Sequence, residues 1–381
     1  MSLHALWRIA LGSAIASAGS CAAPDARGAS PPAGPEILKA EPAPAWDAKF
    51  AGDKGWIGGD GVYSVVVDKQ RVVWLFGDTL LGEVKRGRRD GAAMVNNTVA
   101  VQDSRRVDGA IHFTSGKSKQ GKPAAVFLPA DGKGWFWPQA AIALDKRLFL
   151  FLPQIDKTKE GGVFGFRQIG QWLAVVDNPL DEPKTWRVKQ KKLPFASFEK
   201  DRSQSWGSAM LCVGDAVYVY GFEERGKKLG SRSLIVARVA AAKLDDFEAW
   251  RFRTADGWSA KPGDAVALAN GLATEYSVTP MPSRSGFALV YTENGLGDRI
   301  VARLAEEPAG PWSAPSLLYR CPEMAKDKGV FCYAAKAHPW AAGKDEFLIS
   351  YCANTWDFGR LFRDANVYRP KFVRATLKPT K

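Results

Sequence analysis

Three acidic residues, Asp60, Asp78 and Glu275, stand where packing alone explains them poorly. Asp60 lies in Gly58-Gly59-Asp60-Gly61, where missing side chains let backbone or a ligand approach closely. Asp78 ends an apolar run, just before Thr79, where burial would perturb its pKa. Glu275 opens another apolar run beside Tyr276. Carboxyl groups brought together repel one another, so one keeps its proton while another ionises, which supplies a general acid and a general base. Each residue also has a structural reading: Asp60 as a turn cap, Asp78 in an Asx turn, Glu275 paired with an arginine. Glu223 and Glu293 read as rim charges, with Glu293 kept as a candidate ligand contact.

Other chemistries find little support. The three histidines, His4, His112 and His338, are scattered, and neither H-E-x-x-H nor a paired C-x-x-C occurs, so no metal centre is expected. The phosphate-binding loop, the dinucleotide glycine fingerprint and the G-x-S-x-G elbow are missing as well. The net charge of +13 would suit an anionic partner, but the basic runs at 85–89, 117–119 and 189–192 fall in expected loops and read as solvated charge. With an export signal in front, nucleic acid is not an expected partner.

That signal occupies residues 1–21. Arg8 precedes a small-residue apolar stretch ending in Ala18-Gly19-Ser20-Cys21, a pattern resembling a bacterial lipoprotein signal cleaved before a lipidated Cys21. The other reading is an ordinary signal peptide with an incidental cysteine. The expected location is the bacterial cell envelope through a lipid anchor, otherwise the periplasm or exterior. Residues 22–35, rich in Ala, Pro and Gly, read as a flexible tether. Export makes Cys212, Cys321, Cys332 and Cys352 disulfide candidates. Cys321 and Cys332 flank a polar loop, Cys332 and Cys352 fall nearly opposite across a hairpin, and Cys212 reads as a buried thiol.

The elements that must position the acids are strands. Apolar runs at 72–76, 148–152, 216–220, 287–291 and 347–351 each follow a polar turn, a hairpin signal. Third strands follow at 98–101, 172–175, 234–238, 300–303 and 372–375, and Trp186, Trp250 and Trp312 begin fourth strands. Markers from Leu75 to Leu348 are spaced by 74, 68, 72 and 59 residues. The expectation is an all-β fold over residues 36–381: a five-bladed β-propeller of four-stranded blades, monomeric, whose last blade borrows an N-terminal strand from residues 36–50. An irregular all-β sandwich is the alternative.

Trp56-Ile57-Gly58-Gly59-Asp60-Gly61-Val62-Tyr63-Ser64, Val73-Trp74-Leu75-Phe76-Gly77-Asp78-Thr79, Met94-Val95-Asn96-Asn97-Thr98 and Tyr333-Ala334-Ala335-Lys336-Ala337-His338-Pro339 carry a resemblance. So do 349–354 and Tyr368-Arg369-Pro370-Lys371-Phe372. Over roughly residues 46–377 the chain resembles bacterial five-bladed propeller families catalogued as domains of unknown function, similar in turn to arabinanase-type glycoside hydrolases. The resemblance implies an exported protein that cleaves an arabinan or other cell-surface polysaccharide with paired carboxylates, or one that binds such a glycan without cutting it. On that fold Asp60, Asp78 and Glu275 would be the catalytic acids at one channel mouth. Tyr63, Asn97, Trp137, Gln139, Trp206, Glu293, Asn354 and Arg369 would contact the sugar, the tryptophans by stacking. Lys336 and His338 would line the channel, where similar hydrolases hold a water or a Ca2+; plain hydrogen bonding by His338 is the other reading. A sialidase box is only faintly echoed, once, by Thr254-Ala255-Asp256-Gly257-Trp258.

Overall fold

The computed structural model describes residues 30–159, 165–199, 201–226, 228 and 230–378. The expectations for the leader, Cys21 and most of the tether lie outside the described residues.

The architecture is all-β. The expected second strands fall within Val72–Phe76, Arg147–Lys157, Ala216–Arg225, Phe287–Thr292 and Glu346–Thr355, each central in an antiparallel sheet. Their third-strand neighbours are Thr98–Gln102, Phe166–Val176, Arg232–Ala240, Arg299–Ala305 and Pro370–Leu377. Their central runs, such as 72–76 and 148–152, are apolar because both faces are buried. Side chains alternate across a strand, so Val73 and Leu75 pack with Leu148 and Leu150 of the second sheet, while Val72, Trp74 and Phe76 pack with Leu348 and Phe372 of the fifth. Similar seams join the second sheet to the third through Phe151 and Val217, the third to the fourth through Val236 and Leu289, and the fourth to the fifth through Val290 and Ile349.

The strand Ile37–Pro42 pairs with the C-terminal strand Pro370–Leu377, Ala40 opposite Ala375. It supplies the outer strand that the last repeat lacks. Trp46 and Phe50, just after it, are buried against Trp74 and Phe372.

Three features depart from expectation. A small sheet of Lys54–Gly59, Thr79–Glu83 and Ala93–Val95 flanks the first repeat, its first strand preceding the hairpin and the other two inserted between the hairpin and the third strand. Cys212 is exposed, because the strand Arg202–Val213 has already run out toward its turn there. Cys332 and Cys352 are free thiols: the register sets Cys332 opposite Ala353 and Cys352 opposite Tyr333. That one-residue offset sends the two side chains to opposite faces of the sheet.

Candidate active site

Asp60 and Asp78 sit where the chain passes between the small inserted sheet and the first large one. Asp60 links Lys54–Gly59 to Tyr63–Val66, and Asp78 links Val72–Phe76 to Thr79–Glu83. Two backbone hydrogen bonds lock the crossings together, from Asp60 N–H to the Asp78 carbonyl at 3.3 Å and from Gly77 N–H to the Asp60 carbonyl at 2.9 Å. Glycine is needed at this crossing. A Cβ on Gly77 would stand 2.6 Å from Asp60 Oδ1, and one on Gly58 would stand 2.6 Å from the Tyr368 carbonyl oxygen.

Asp60 Oδ2 accepts two phenolic hydrogen bonds, from Tyr333 at 2.6 Å and Tyr368 at 3.0 Å. The Tyr368 hydroxyl also lies 3.0 Å from the Asp78 carbonyl oxygen. Tyr368 has a left-handed backbone with φ 61°, which disfavours a bulky side chain. Its neighbours impose that conformation: its N–H donates to the Ala353 carbonyl, and its own carbonyl accepts from Gly59 N–H. Asp78 Oδ1 accepts from Asn96 Nδ2 at 3.0 Å and from Trp137 Nε1 at 2.8 Å. Glu275 comes from the fourth sheet and stands 3.5 Å from the Lys336 ammonium. The preceding residue is held from two other sheets, because the Thr274 carbonyl accepts from Ser208 Oγ at 2.8 Å and from Gln139 Nε2 at 3.1 Å. All three carboxyl-bearing residues are half-buried, so the cluster is open to solvent on one side.

Burial is the main force on these acids. It raises Asp60 to about 8, helped by the charges of Asp78 and Glu275 and opposed by the two tyrosine hydroxyls. It raises Asp78 to about 6 against the hydrogen bonds from Trp137 and Asn96. Glu275 also moves up through burial, with the Lys336 charge pulling it back. Asp60 and Asp78 therefore titrate as a pair that keeps one proton at neutral pH, Asp60 holding it more tightly. That is the chemical content of the site: a proton to give and a carboxylate to receive one.

Lys336 is buried between the first and fifth sheets. Its ammonium donates to the carbonyls of Gly61 and, at 2.6 Å, Ala334, and lies 4.4 Å from the centre of the Tyr63 ring. The Tyr63 hydroxyl donates to the Ser208 carbonyl at 3.1 Å. His338 is neutral, pushed down to about 3 by burial, with Nδ1 2.6 Å from Ser64 Oγ and Nε2 2.8 Å from Ser350 Oγ. These residues do not suit a central Ca2+, which wants a cage of oxygens. The cluster already carries a lysine charge, and both imidazole nitrogens are engaged by serines.

The remaining sequence candidates divide. Trp137 is in the site, bonded to Asp78 through its indole N–H, and its ring meets Phe166 edge-on with centroids 4.7 Å apart. Asn354 reaches the edge of the site, 3.5 Å from the Tyr333 hydroxyl. Glu293 pairs with Arg299 at 2.5 Å. Arg369 turns away to Gly52 and Asp53. Asn97 is fully buried and serves the backbone, donating to the Phe127 and Phe136 carbonyls and accepting from Phe127 N–H. Trp206 is a core residue rather than a stacking platform. A bulge between Trp206 and Ala209 turns its ring onto Phe252, centroids 5.0 Å apart. Glu223 is neutralised by Arg202 and Arg225.

Sequence reasoning missed Arg89 and the role of Tyr368. Arg89, read as solvated loop charge, is fully buried and donates to the carbonyls of Ile57, Leu361, Asp364, Ala365 and Val367. It thus ties the segment leading into Asp60 to the segment leading into Tyr368. Burial without a carboxylate partner lowers its pKa to about 10. A basic run gives no sign of which arginine is buried. Tyr368 carries a visible signal, since it opens Tyr368-Arg369-Pro370-Lys371-Phe372, but in a linear reading the charge of Arg369 is the stronger mark.

Against known proteins, the profile of the family described as "Domain of unknown function (DUF5005)" matches residues 44–376. No curated protein matches the sequence. Among solved structures, a Bacteroides ovatus protein whose description as a hydrolase is provisional superimposes with a TM-score of 0.71 at 18% identity, covering 88% of this chain and 90% of that one. A xylan beta-1,4-xylosidase from Bacillus halodurans gives 0.50 at 10% identity, over 85% of this chain and 53% of that one. An alpha-L-arabinofuranosidase from Lactobacillus brevis gives 0.49 at 13%, over 85% and 95%. At such identities the likeness concerns the fold alone.

Proposed function

The chain belongs to the DUF5005 family, and we propose that it is a glycoside hydrolase of the β-propeller type, five-bladed and closed by its N-terminal strand, acting on an arabinan or other cell-surface polysaccharide. One observation carries the reading. Asp60 and Asp78 are joined at one solvent-open crossing and are held at different proton affinities, about 8 and about 6. Glycosidic cleavage needs such a pair, one carboxyl protonating the departing oxygen and the other ionised as base or nucleophile. In this reading Asp60 gives its proton to the departing glycosidic oxygen, the ionised Asp78 acts as base or nucleophile, and Glu275 assists with a charge tuned by Lys336. Tyr333 and Tyr368 hold Asp60, while Trp137 and Asn96 hold Asp78. Trp137, Asn354 and Glu293 would line the approach of the sugar. Cys21 would anchor the exported protein in the cell envelope.

A second reading has its own support. Lys336 neutralises Glu275 at 3.5 Å, as expected of a site that binds a glycan without cutting it. Incubating the purified chain with arabinans and other envelope polysaccharides separates the two. New reducing ends support hydrolysis, whereas retention on the glycan without new ends supports the binding module.

A further inference from the structure

Away from the carboxylate mouth, the connection between the fourth and fifth sheets gathers a second set of reactive side chains. The strand Ser316–Arg320 ends at Cys321, a helical turn Glu323–Lys326 follows, and the strand Val330–Ala337 returns carrying Cys332. One ligand atom from each of Cys321, Glu323 and Cys332 lies within 4.8 Å of the others. Both thiols are buried, and Glu323 is half-buried.

We propose that Cys321, Glu323 and Cys332 form a structural site for a thiophilic divalent cation of the zinc type. Tetrahedral coordination with metal–sulfur bonds near 2.3 Å and metal–oxygen bonds near 2.0 Å spaces the ligand atoms roughly 3.5–3.8 Å apart. Cys332 Sγ stands 3.9 Å from Glu323 Oε2, close to that spacing before any ion draws them in. The outer shell is also present. The Tyr351 hydroxyl stands 3.0 Å from each Glu323 oxygen, the kind of hydrogen bond that orients a ligating carboxylate. Cys321 is fixed by its own N–H, which donates to the Asp298 carbonyl at 2.7 Å. Nearby arginines are spoken for, Arg320 by Asp298 and Arg360 by Asp327 and Asp364. No Lys or Arg pairs with Glu323 among the described residues. The partly exposed side of Glu323 leaves the fourth position to water.

The site would pin the entry of the last sheet. Cys332 precedes Tyr333, whose hydroxyl holds Asp60, so the cation would stabilise that sheet from outside the reaction. The proposal stands whether or not the mouth hydrolyses sugars.

The test uses the full mature chain, purified without chelator and without added thiol. Elemental analysis should find one zinc per chain. After chelator stripping, Zn2+ titrated against a chromophoric competitor should bind with one-to-one stoichiometry and raise the melting temperature. Co2+ should give thiolate charge-transfer absorption in the near ultraviolet. Glu323→Gln, at a half-buried position, should keep the fold and weaken Zn2+ at least tenfold, Cys332→Ser should abolish the cobalt band, and Cys352→Ser should change neither. A metal-free chain with the mass deficit of two hydrogens, meaning a Cys321–Cys332 disulfide, would overturn the proposal. So would a reduced chain that takes up no Zn2+, or uptake indifferent to Glu323→Gln and Cys332→Ser.

Discussion

Replacing Asp60 by asparagine should make the fold less sensitive to alkaline pH. The folded-state pKa of Asp60 is about 8 against an ordinary 3.8, so the folded chain binds a proton that the unfolded chain has released. A raised folded pKa contributes stability that is complete below the unfolded value and is lost as pH rises through the folded one. Between pH 6.5 and 9 the interpretation is simplest. Asp78, at about 6, is mostly ionised throughout. His338, buried neutral at about 3 against an ordinary 6.5, subtracts stability mainly below that range and does so equally in both proteins. From pH 6.5 to the Asp60 pKa is about 1.5 units, and each unit is worth about 1.4 kcal/mol, so ionising Asp60 should cost the fold about 2 kcal/mol. The substituted amide keeps an acceptor for Tyr333 and Tyr368 and cannot ionise. Urea unfolding followed by tryptophan fluorescence at pH 6.5 and 9 measures the effect. The wild type should lose about 2 kcal/mol more than Asp60→Asn over this interval. Parallel losses in the two proteins would refute the argument, because they would place the Asp60 proton elsewhere.

Other consequences can be checked as directly. Arg89→Met strips the hydrogen-bond donor from five carbonyls between Ile57 and Val367 and should lower stability by roughly 3–5 kcal/mol in urea titrations; a loss within about 1 kcal/mol would show that water replaces the guanidinium at no cost. Removing residues 1–34 should leave the melting temperature nearly unchanged, whereas removal through Phe50 deletes the strand paired with Pro370–Leu377 and the buried rings of Trp46 and Phe50 and should cost several kcal/mol. Equal melting temperatures would contradict the pairing. Cys21→Ser should move the protein from the membrane fraction to the soluble exported fraction, and unchanged fractionation would remove the anchor.

The strand framework was legible because two-sided burial leaves a coarse mark: runs such as 72–76 and 148–152 are apolar throughout, and their polar turns fix where each hairpin folds. Asp60 and Asp78 were legible for a related reason, since glycine beside an acid at the end of an apolar strand is costly unless something must approach closely. What escaped depends on contacts distant in sequence. Trp206 is taken from the mouth by a bulge that its own segment does not announce. Asn97 and Arg89 are committed to carbonyls 30 to 278 residues away, and polar side chains used in this way look like surface residues in a linear reading. The small sheet 54–95 was hidden because its strands are short and the first is broken up by glycine.

The most direct test of the central claim is turnover on whichever glycan the screen identifies, measured for the wild type, Asp60→Asn and Asp78→Asn together with each protein's affinity for that glycan. If the carboxyl cluster does the chemistry, each substitution lowers kcat on the order of 100-fold or more, as expected when a positioned acid or base is lost, while affinity changes little. Full rate in both variants would contradict the account and move the reaction away from Asp60 and Asp78.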